Sequence, residues 1–276
     1  MNMKNFTKLP LLIYGTAWKK ERTAELVEKA VLCGFRGIDT ACQPKHYNEG
    51  GVGEALVRLK EQGIPREELF LQTKFTPLAG QDPLRVPYDV NSPVETQVQQ
   101  SAQTSLKNLN VDYLDALLLH SPLTAHSETM KAWQSMEALY EKGVVNYLGI
   151  SNCYDLATLK LIYEEAAIKP TLVQNRFYSE TDYDKILRAW SNEKNIFYQS
   201  FWTLTANPDI LSHPLILSLA SVKKITPAQL FFRFLTQQKI IPLIGTCSEK
   251  HMREDLEIFD FTLTSEELEK INKNFF

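Results

Sequence analysis

The sequence is poor in the cysteine patterns that build metal sites. Its four cysteines, Cys33, Cys42, Cys153 and Cys247, are scattered along 276 residues. None belongs to a C-x-x-C pair, and no histidine lies at metal-ligand spacing from them. We therefore expect no metal site. The protein is predicted to work in a reducing compartment, with the cytoplasm as its location.

The sequence also lacks a long apolar run and an excess of positive charge. No segment approaches the roughly 20 apolar residues that a membrane helix requires, and the stretch from Met1 to Pro10 is polar. The formal net charge is −3, so there is no basic excess of the kind that neutralises a nucleic-acid backbone. We expect a soluble protein that binds neither membranes nor nucleic acid.

Short apolar runs recur along the whole chain. Most are continuous rather than alternating, which is typical of parallel strands buried on both faces. Eight such runs predict eight strands, at Leu11–Thr16, Phe35–Thr40, Leu69–Phe75, Tyr113–His120, Val144–Ser151, Thr171–Tyr178, Asn195–Trp202 and Lys239–Thr246.

Helical patterns lie between these runs. Apolar residues recur at helical spacing, and capping residues mark three helix starts. The apolar faces are Val52-Leu56-Leu59 and Val98-Ala102-Leu106-Leu109, and the starts are Ser92–Glu95, Thr226–Gln229 and Thr264 with Glu267.

The glycine-rich G-x-G-x-x-G turn of a doubly wound sheet is missing. The nearest candidate, Gly50 to Gly53, lies in a predicted helix start rather than after a strand. Eight strands alternating with helices fit a (β/α)8 barrel, whose active sites lie at the C-terminal ends of the strands. We predict one α/β domain of this architecture over residues 1–276.

Four titratable side chains are predicted to meet at that end of the barrel. Asp39, Lys74 and His120 lie at or near the ends of strands two, three and four, and Tyr47 lies on the loop after Asp39. Because a tyrosine has an unperturbed pKa of about 10, we expect Lys74 to lower the pKa of Tyr47 while Asp39 holds the ammonium group. His120 would donate a hydrogen bond to a carbonyl oxygen. Such a carbonyl needs a hydride, which no side chain supplies, so a nicotinamide cofactor is implied.

Ordered motifs along almost the whole chain resemble the aldo-keto reductase family. They fall at the strand ends in the family's order, which chance rarely produces. The resemblance implies the reduction of aldehydes or ketones to alcohols. The motifs are Gly15-Thr16, Ile38–Ala41, Leu69–Lys74, Leu117–His120, Leu148–Asn152, Gln174, Thr226–Gln229, Ile241-Pro242, Glu254–Leu256 and Phe259–Phe261.

The resemblance also implies the role of each site residue. Tyr47 is the proton donor, and Asp39, Lys74 and His120 complete a catalytic tetrad. Residues that flank strand ends with an aromatic ring, Trp18 and Phe75, are candidates for substrate contact. The implied cofactor contacts are Asp39, Ser151, Asn152 and Gln174 at the nicotinamide, Gly15 and Thr16 at its ribose, Ser200 and Trp202 at the pyrophosphate, and Thr246, His251, Glu254 and Asp255 towards the adenine end.

The loop after Asp39 departs from the family pattern. The family places its tyrosine five residues after the aspartate, where this chain has Pro44. The segment is longer than the family pattern, and Tyr47 fits the tyrosine's place after realignment. His46 is the rival proton donor, because an unperturbed histidine pKa of about 6.5 also suits proton donation.

Two further departures concern the cofactor. Where the family stacks an aromatic ring on the nicotinamide, this chain has Gln199, with Tyr198 or Phe201 as substitutes after a shift. His251 stands where the family has an arginine for the 2′-phosphate. Because Lys250 and Arg253 can still supply charge, we expect NADP(H) to be preferred, with NAD(H) as the alternative.

The leading hypothesis is a monomeric, NADP(H)-dependent reductase of small or aromatic carbonyl compounds. Two alternatives remain open at this point. The first is a regulatory barrel that binds the cofactor with little or no turnover. The second uses Lys74 as a Schiff-base nucleophile, as barrel aldolases use lysine.

Overall fold

The computed structural model describes residues 9–276 as a closed barrel of eight parallel strands. Each strand pairs with the next along the chain, and the last pairs with the first. Each of the eight predicted runs contains one strand, so the (β/α)8 prediction is confirmed. The strands are β1 Ile13–Gly15, β2 Gly37–Asp39, β3 Phe70–Phe75, β4 Leu114–Leu119, β5 Val145–Ser151, β6 Leu172–Arg176, β7 Phe197–Phe201 and β8 Ile240–Ile244.

Helices surround this barrel. Short 3-10 turns at Lys20–Arg22, Arg66–Glu68, Leu78–Gly80, Ser179–Asp184 and Glu257–Phe259 join some of the elements. In the described part of the chain no single helix is long and apolar enough to cross a bilayer. The helices Pro214–Lys223 and Pro227–Gln237 reach that length and hydropathy only jointly, across a 95° bend. The helices are α1 Thr23–Cys33, α2 Glu49–Glu61, α3 Val94–Leu109, α4 His126–Glu141, α5 Leu156–Glu165, α6 Lys185–Glu193, α7 Pro208–Ser212, α8 Pro214–Lys223, α9 Pro227–Gln237, α10 Glu249–Leu256 and α11 Ser265–Phe275.

Two of the three predicted helix starts are confirmed. Thr226 and Thr264 each form a full capping box with the residue three positions on, at the starts of α9 and α11. The prediction of Ser92 as the N-cap of α3 is wrong. That helix begins at Val94, and the Ser92 hydroxyl instead donates to the carboxylate of Asp89 at 2.9 Å.

Alternate residues of each strand face either outward to the helices or inward into the barrel, and the two sets form separate apolar regions. Residues that face outward from the strands pack against the helices in one large apolar core. Residues that face inward form a smaller apolar plug towards the N-terminal end of the barrel. Inward-facing polar residues lie above the plug, towards the C-terminal ends of the strands, and they form the candidate active site. The plug consists of Ile13, Phe70, Ala116, Leu118, Leu172 and Ile241.

Helix α2 lies close to α3 through a glycine, which generates a stability prediction. A Cβ atom on Gly53 would overlap the carbonyl oxygen of Asn108, whereas on Gly50 it would meet nothing nearer than 3.5 Å. We expect Gly53→Ala to lower the free energy of unfolding by about 1–3 kcal/mol, because overpacking must move the backbone. Gly50→Ala is the matched control and should change it by less than about 1 kcal/mol, towards stability. Urea unfolding of the two variants, followed by circular dichroism, measures the difference; equal stabilities would contradict the packing.

Candidate active site

An ion pair lies at the centre of the barrel, above the apolar plug. Asp39 ends β2 and Lys74 lies in β3, and both are at most 2% exposed. Lys74 Nζ is 2.6 and 2.8 Å from the two carboxylate oxygens of Asp39 and 2.9 Å from the carbonyl oxygen of Thr40. These contacts use all three N–H groups of the ammonium. Burial lowers the pKa of Lys74, and the charge of Asp39 opposes that shift.

Three buried glutamine side chains surround the Asp39 carboxylate. Gln72 and Gln174 each donate from Nε2 to Asp39 Oδ1, at 2.7 and 3.0 Å. Each also donates from Nε2 to Gln199 Oε1 at 2.8 Å. Gln199 Nε2 donates back to Gln72 Oε1 at 2.9 Å. The three amides and the ion pair therefore form one continuous hydrogen-bond network.

Tyr47 reaches this network from the loop between β2 and α2. A turn places it, because the backbone N–H groups of His46 and Tyr47 both donate to the carbonyl of Gln43. Lys74 Nζ lies 5.2 Å from the centre of the Tyr47 ring. The structure thus brings the predicted tyrosine beside the predicted lysine, despite the lengthened loop.

The expected lowering of the Tyr47 pKa is wrong. Burial and the negative charge of Asp39 hold that pKa well above its ordinary value. Lys74 makes no hydrogen bond to the phenol, because its three N–H groups are directed at Asp39 and Thr40. The phenol therefore keeps its proton throughout the neutral range.

His120 completes the group of four side chains. Its ring meets that of Tyr47 edge-on, with centroids 6.2 Å apart. Its Nδ1 lies 2.6 Å from the hydroxyl of Thr76, so among residues 9–276 Nε2 is the ring nitrogen that has no hydrogen-bond partner. Burial and the charge of Lys74 hold the pKa of His120 well below its ordinary value. The ring is therefore neutral near pH 7.

A pocket of about 930 Å³ opens above these residues at the C-terminal ends of the strands. Its floor includes Tyr47 and His120, and Lys74 lies directly beneath. Most of the predicted site residues contribute to its wall. Those that line it are Gly15, Trp18, Asp39, Tyr47, His120, Ser151, Asn152, Gln174, Trp202, Thr246, His251, Glu254 and Asp255.

Three predicted contact residues lie outside the pocket, because their side chains do not face the barrel interior. Phe75 follows the inward-facing Lys74, so it points outward and packs against Tyr88 with centroids 5.6 Å apart. Ser200 also points outward, and its hydroxyl lies 2.9 Å from that of Thr203. Thr16 is fully buried and donates to the carbonyl of Asp39 at 2.9 Å.

The departure at Gln199 is explained by the same alternation. Gln199 faces inward but lies too deep to line the pocket, within the glutamine network. Tyr198 points outward and donates to Asp184 at 2.8 Å. Phe201, two residues beyond Gln199, faces inward and lines the pocket. Of the two proposed substitutes, only Phe201 can offer a ring to a bound ligand.

Sequence reasoning missed two pocket cations. Arg176 lines the pocket, and its guanidinium carbon lies 4.3 Å from the centre of the Trp202 ring. Its position two residues after Gln174 was the available signal. Lys19 also lines the pocket, and its ammonium group hydrogen-bonds the carbonyl of Gly245. No periodic pattern predicts this side chain, because it follows β1 in an irregular segment. The loop residues Thr203, Leu204 and Thr205 were missed for the same reason.

The far end of the pocket is acidic. Lys250 and Arg253, expected to add positive charge there, pair instead with Glu254 at 3.6 Å and Glu249 at 2.7 Å. Neither lines the pocket. Burial, with a smaller contribution from Glu254, raises the pKa of Asp255 to about 7. No cluster of three or more His, Cys, Asp or Glu side chains suited to a metal ion occurs within residues 9–276.

Comparison with known proteins identifies similar chains. The model of the Aldo/keto reductase family matches residues 11–205 and 209–274. Methylglyoxal reductase DkgA of Yersinia pestis is 32% identical over 254 residues, which cover 92% of this chain and 84% of that protein. Uncharacterized oxidoreductase YtbE of Bacillus subtilis (strain 168) is 28% identical over 274 residues, covering 98% and 90%. A crystal structure of an aldo/keto reductase from Brucella melitensis superposes with a TM-score of 0.81 at 28% identity, covering 96% and 95%.

Proposed function

The chain belongs to the aldo/keto reductase family and is a carbonyl-reducing oxidoreductase, and we propose that Tyr47 is the proton donor of its reaction. The carrying observation is the meeting of Tyr47, His120 and the Asp39–Lys74 pair at the floor of one large pocket. This arrangement favours turnover over a regulatory barrel without chemistry. It also disfavours a Schiff base at Lys74, whose Nζ lies beneath the floor with its donors engaged.

The pocket suits a nicotinamide cofactor. About 930 Å³ is ample for an elongated ligand. Gln174 lines the pocket, and its Oε1 accepts no hydrogen bond from residues 9–276, so it can receive an amide N–H. Phe201 offers a ring, and Ser151 and Asn152 lie beside Gln174. Such a cofactor supplies the hydride that no side chain can provide.

The side chains provide the proton and hold the carbonyl. Tyr47 retains its proton because its pKa is raised, so its hydroxyl donates a hydrogen bond to the carbonyl oxygen and releases the proton as negative charge develops there. The neutral ring of His120 has its Nε2 directed by the Thr76 contact at Nδ1 and orients the same oxygen. Lys74 and Asp39 provide a fixed charge pair beneath the phenol.

We propose NADP(H) as the preferred cofactor, with NAD(H) as the alternative. Lys19 and Arg176 are pocket cations that can pair with cofactor phosphates, and His251 lies at the adenine end. Glu254 and Asp255 oppose a 2′-phosphate when both are charged. Preference should therefore depend on the protonation of Asp255.

The substrate proposed is a small or aromatic aldehyde or ketone, reduced by a cytoplasmic, single-domain monomer. Some relatives are named as reductases of methylglyoxal and glyoxal, which favours small carbonyl compounds. Trp18 is 57% exposed and packs against His46, with the ring centroids 3.9 Å apart and the planes tilted by 41°. It lines the pocket as a candidate substrate contact.

The rival proton donors can be separated by substitution. We expect Tyr47→Phe to lower kcat for carbonyl reduction by at least about 100-fold, because proton donation is lost. His46→Gln should lower it by less than about tenfold, since His46 packs against Trp18, whereas it is the Tyr47 ring that lies beside Lys74 Nζ. Cofactor-dependent aldehyde reduction is measured, and quenching of tryptophan fluorescence verifies that both variants bind the cofactor. The reverse order of activities would assign the proton to His46.

Cofactor preference should change with pH. Asp255, with a pKa of about 7, is mostly neutral at pH 6 and mostly charged at pH 8. The added charge repels a 2′-phosphate, so the ratio of KM for NADPH to KM for NADH should rise about threefold to tenfold over this range. Asp255→Asn should reduce this rise in the KM ratio. The 2′-phosphate also titrates, but it does so in both proteins, so the difference between them reports on Asp255. An identical pH dependence in the two proteins would contradict this role of Asp255.

A further inference from the structure

A second cavity, of about 460 Å³, lies next to the active-site pocket. The two share Trp18, His46 and Tyr47, so a molecule with its carbonyl at Tyr47 can extend into the second cavity. This cavity lies away from the acidic residues at the adenine end. It is therefore a candidate for the part of the substrate beyond the carbonyl group.

Three cationic side chains line this second cavity: Lys20, Lys45 and Arg85. Within residues 9–276 no ion pair is formed by Lys20 or Lys45, while Arg85 pairs with Asp82 at 2.9 Å. Among residues 9–276 no Asp or Glu lines this cavity, and of its three cations only Arg85 has an ion-pair partner. The chain as a whole carries a net charge of −3, so this positive region is not a general property of its surface.

The local backbone places these cations beside the site. Trp18 and Lys20 adopt positive φ angles of 65° and 51°, which are costly for residues other than glycine and often occur at functional sites. Asn48 donates to the carbonyl of Lys20 at 3.2 Å and so joins this segment to the loop that carries Lys45. Lys45 belongs to the lengthened part of that loop.

We propose that the second cavity binds a carboxylate on the substrate, so that the enzyme prefers aldehydes or ketones bearing an acidic group. This inference rests on the proposed function and names its substrate class. The cations attract and hold the carboxylate while the carbonyl oxygen meets Tyr47 and His120. Ion pairs exposed to solvent are individually weak. Because these cations act on substrate binding, we expect a modest effect on KM that decreases as salt is added.

The test compares 4-carboxybenzaldehyde with its uncharged amide analogue, 4-carbamoylbenzaldehyde. We expect kcat/KM for the acid to exceed that for the amide by about threefold to tenfold at low salt. The ratio should fall towards one in 0.5 M NaCl and in the double variant Lys45→Gln/Arg85→Gln. Lys142→Gln, an exposed lysine at the end of α4, is the matched control and should keep the ratio.

Equal kcat/KM values for the two aldehydes in the wild-type protein would overturn the carboxylate proposal alone. So would a preference that survives the double substitution. Failure to reduce either aldehyde would overturn the proposed function and the carboxylate proposal with it.

The glutamine network carries a second, independent inference. The Asp39 carboxylate can only accept hydrogen bonds, so Gln72 and Gln174 must present their NH2 groups to it. Their remaining N–H groups then both require an acceptor, which is Gln199 Oε1. Gln199 Nε2 in turn donates to Gln72 Oε1. Every amide in the network therefore has one allowed orientation.

The geometry points to Gln199 as a positioning residue for cofactor binding. By holding the second N–H of Gln174, it keeps Gln174 Oε1 turned to the pocket, where it can accept from the carboxamide of a nicotinamide. Gln72 hydrogen-bonds Asp39 and Gln199, and among residues 9–276 it forms no hydrogen bond with Gln174. Gln72 and Gln199 are both fully buried, so a substitution of Gln72 is the matched control for one of Gln199.

The test measures ligand affinity by quenching of the tryptophan fluorescence from Trp18 and Trp202. We expect Gln199→Met to weaken binding of the oxidised nicotinamide dinucleotide about fivefold to tenfold, because one oriented hydrogen bond is lost. Binding of ADP-ribose, which has no nicotinamide, should be unchanged. Gln72→Met should weaken dinucleotide binding by less than about twofold. Unchanged dinucleotide affinity in Gln199→Met, or an equal loss for ADP-ribose, would overturn the assignment.

Discussion

The structure depends on one buried carboxylate. Taking Asp39 and Lys74 out of water costs several kcal/mol per ion, and contact between them offsets this only when their other polar atoms are also satisfied. Lys74 has three acceptors, and Asp39 Oδ1 receives donors from Lys74, Gln72 and Gln174. These residues come from β2, β3 and β6. The pair is therefore tolerated only when the strands close in the observed register.

Side chains facing the barrel interior change in character along strands β3 and β6. In β3 the inward residues are Phe70, Gln72 and Lys74, and in β6 they are Leu172, Gln174 and Arg176. Each strand thus proceeds from apolar to amide to charged towards its C-terminal end. The apolar layer gives the network a dry floor, in which hydrogen bonds to a charge are stronger than in water. The upper layer faces the pocket, where substrate and cofactor meet these groups.

Much of this could be predicted from the sequence, and the exceptions have a common cause. Continuous apolar runs locate the strands, and a charged residue where such a run stops identifies Asp39, Lys74 and His120. Choosing between adjacent residues requires knowing which one faces inward. The side chains of Phe75 and Ser200 face outward, which the apolar runs alone do not reveal, although the inward direction of Lys74 already implies it for Phe75. Lys19 lies in an irregular segment whose backbone angles no periodicity predicts.

Strand residues and loop residues have different roles in this molecule: the strands carry the Asp39–Lys74 pair for the chemistry, and the loops carry the charges that set specificity. Residues of the barrel strands surround Tyr47, and the strand register fixes where their side chains lie. The segments after β1, β2 and β8 carry the charges that differ between the two ends of the mouth: Lys20 and Lys45 near Tyr47, and Glu254 and Asp255 at the far end. Loops tolerate insertion because their backbone makes few barrel contacts. The loop after Asp39 therefore brings Lys45 to the mouth without disturbing the Asp39–Lys74 pair, since Tyr47 is placed by the turn at Gln43 rather than by strand pairing.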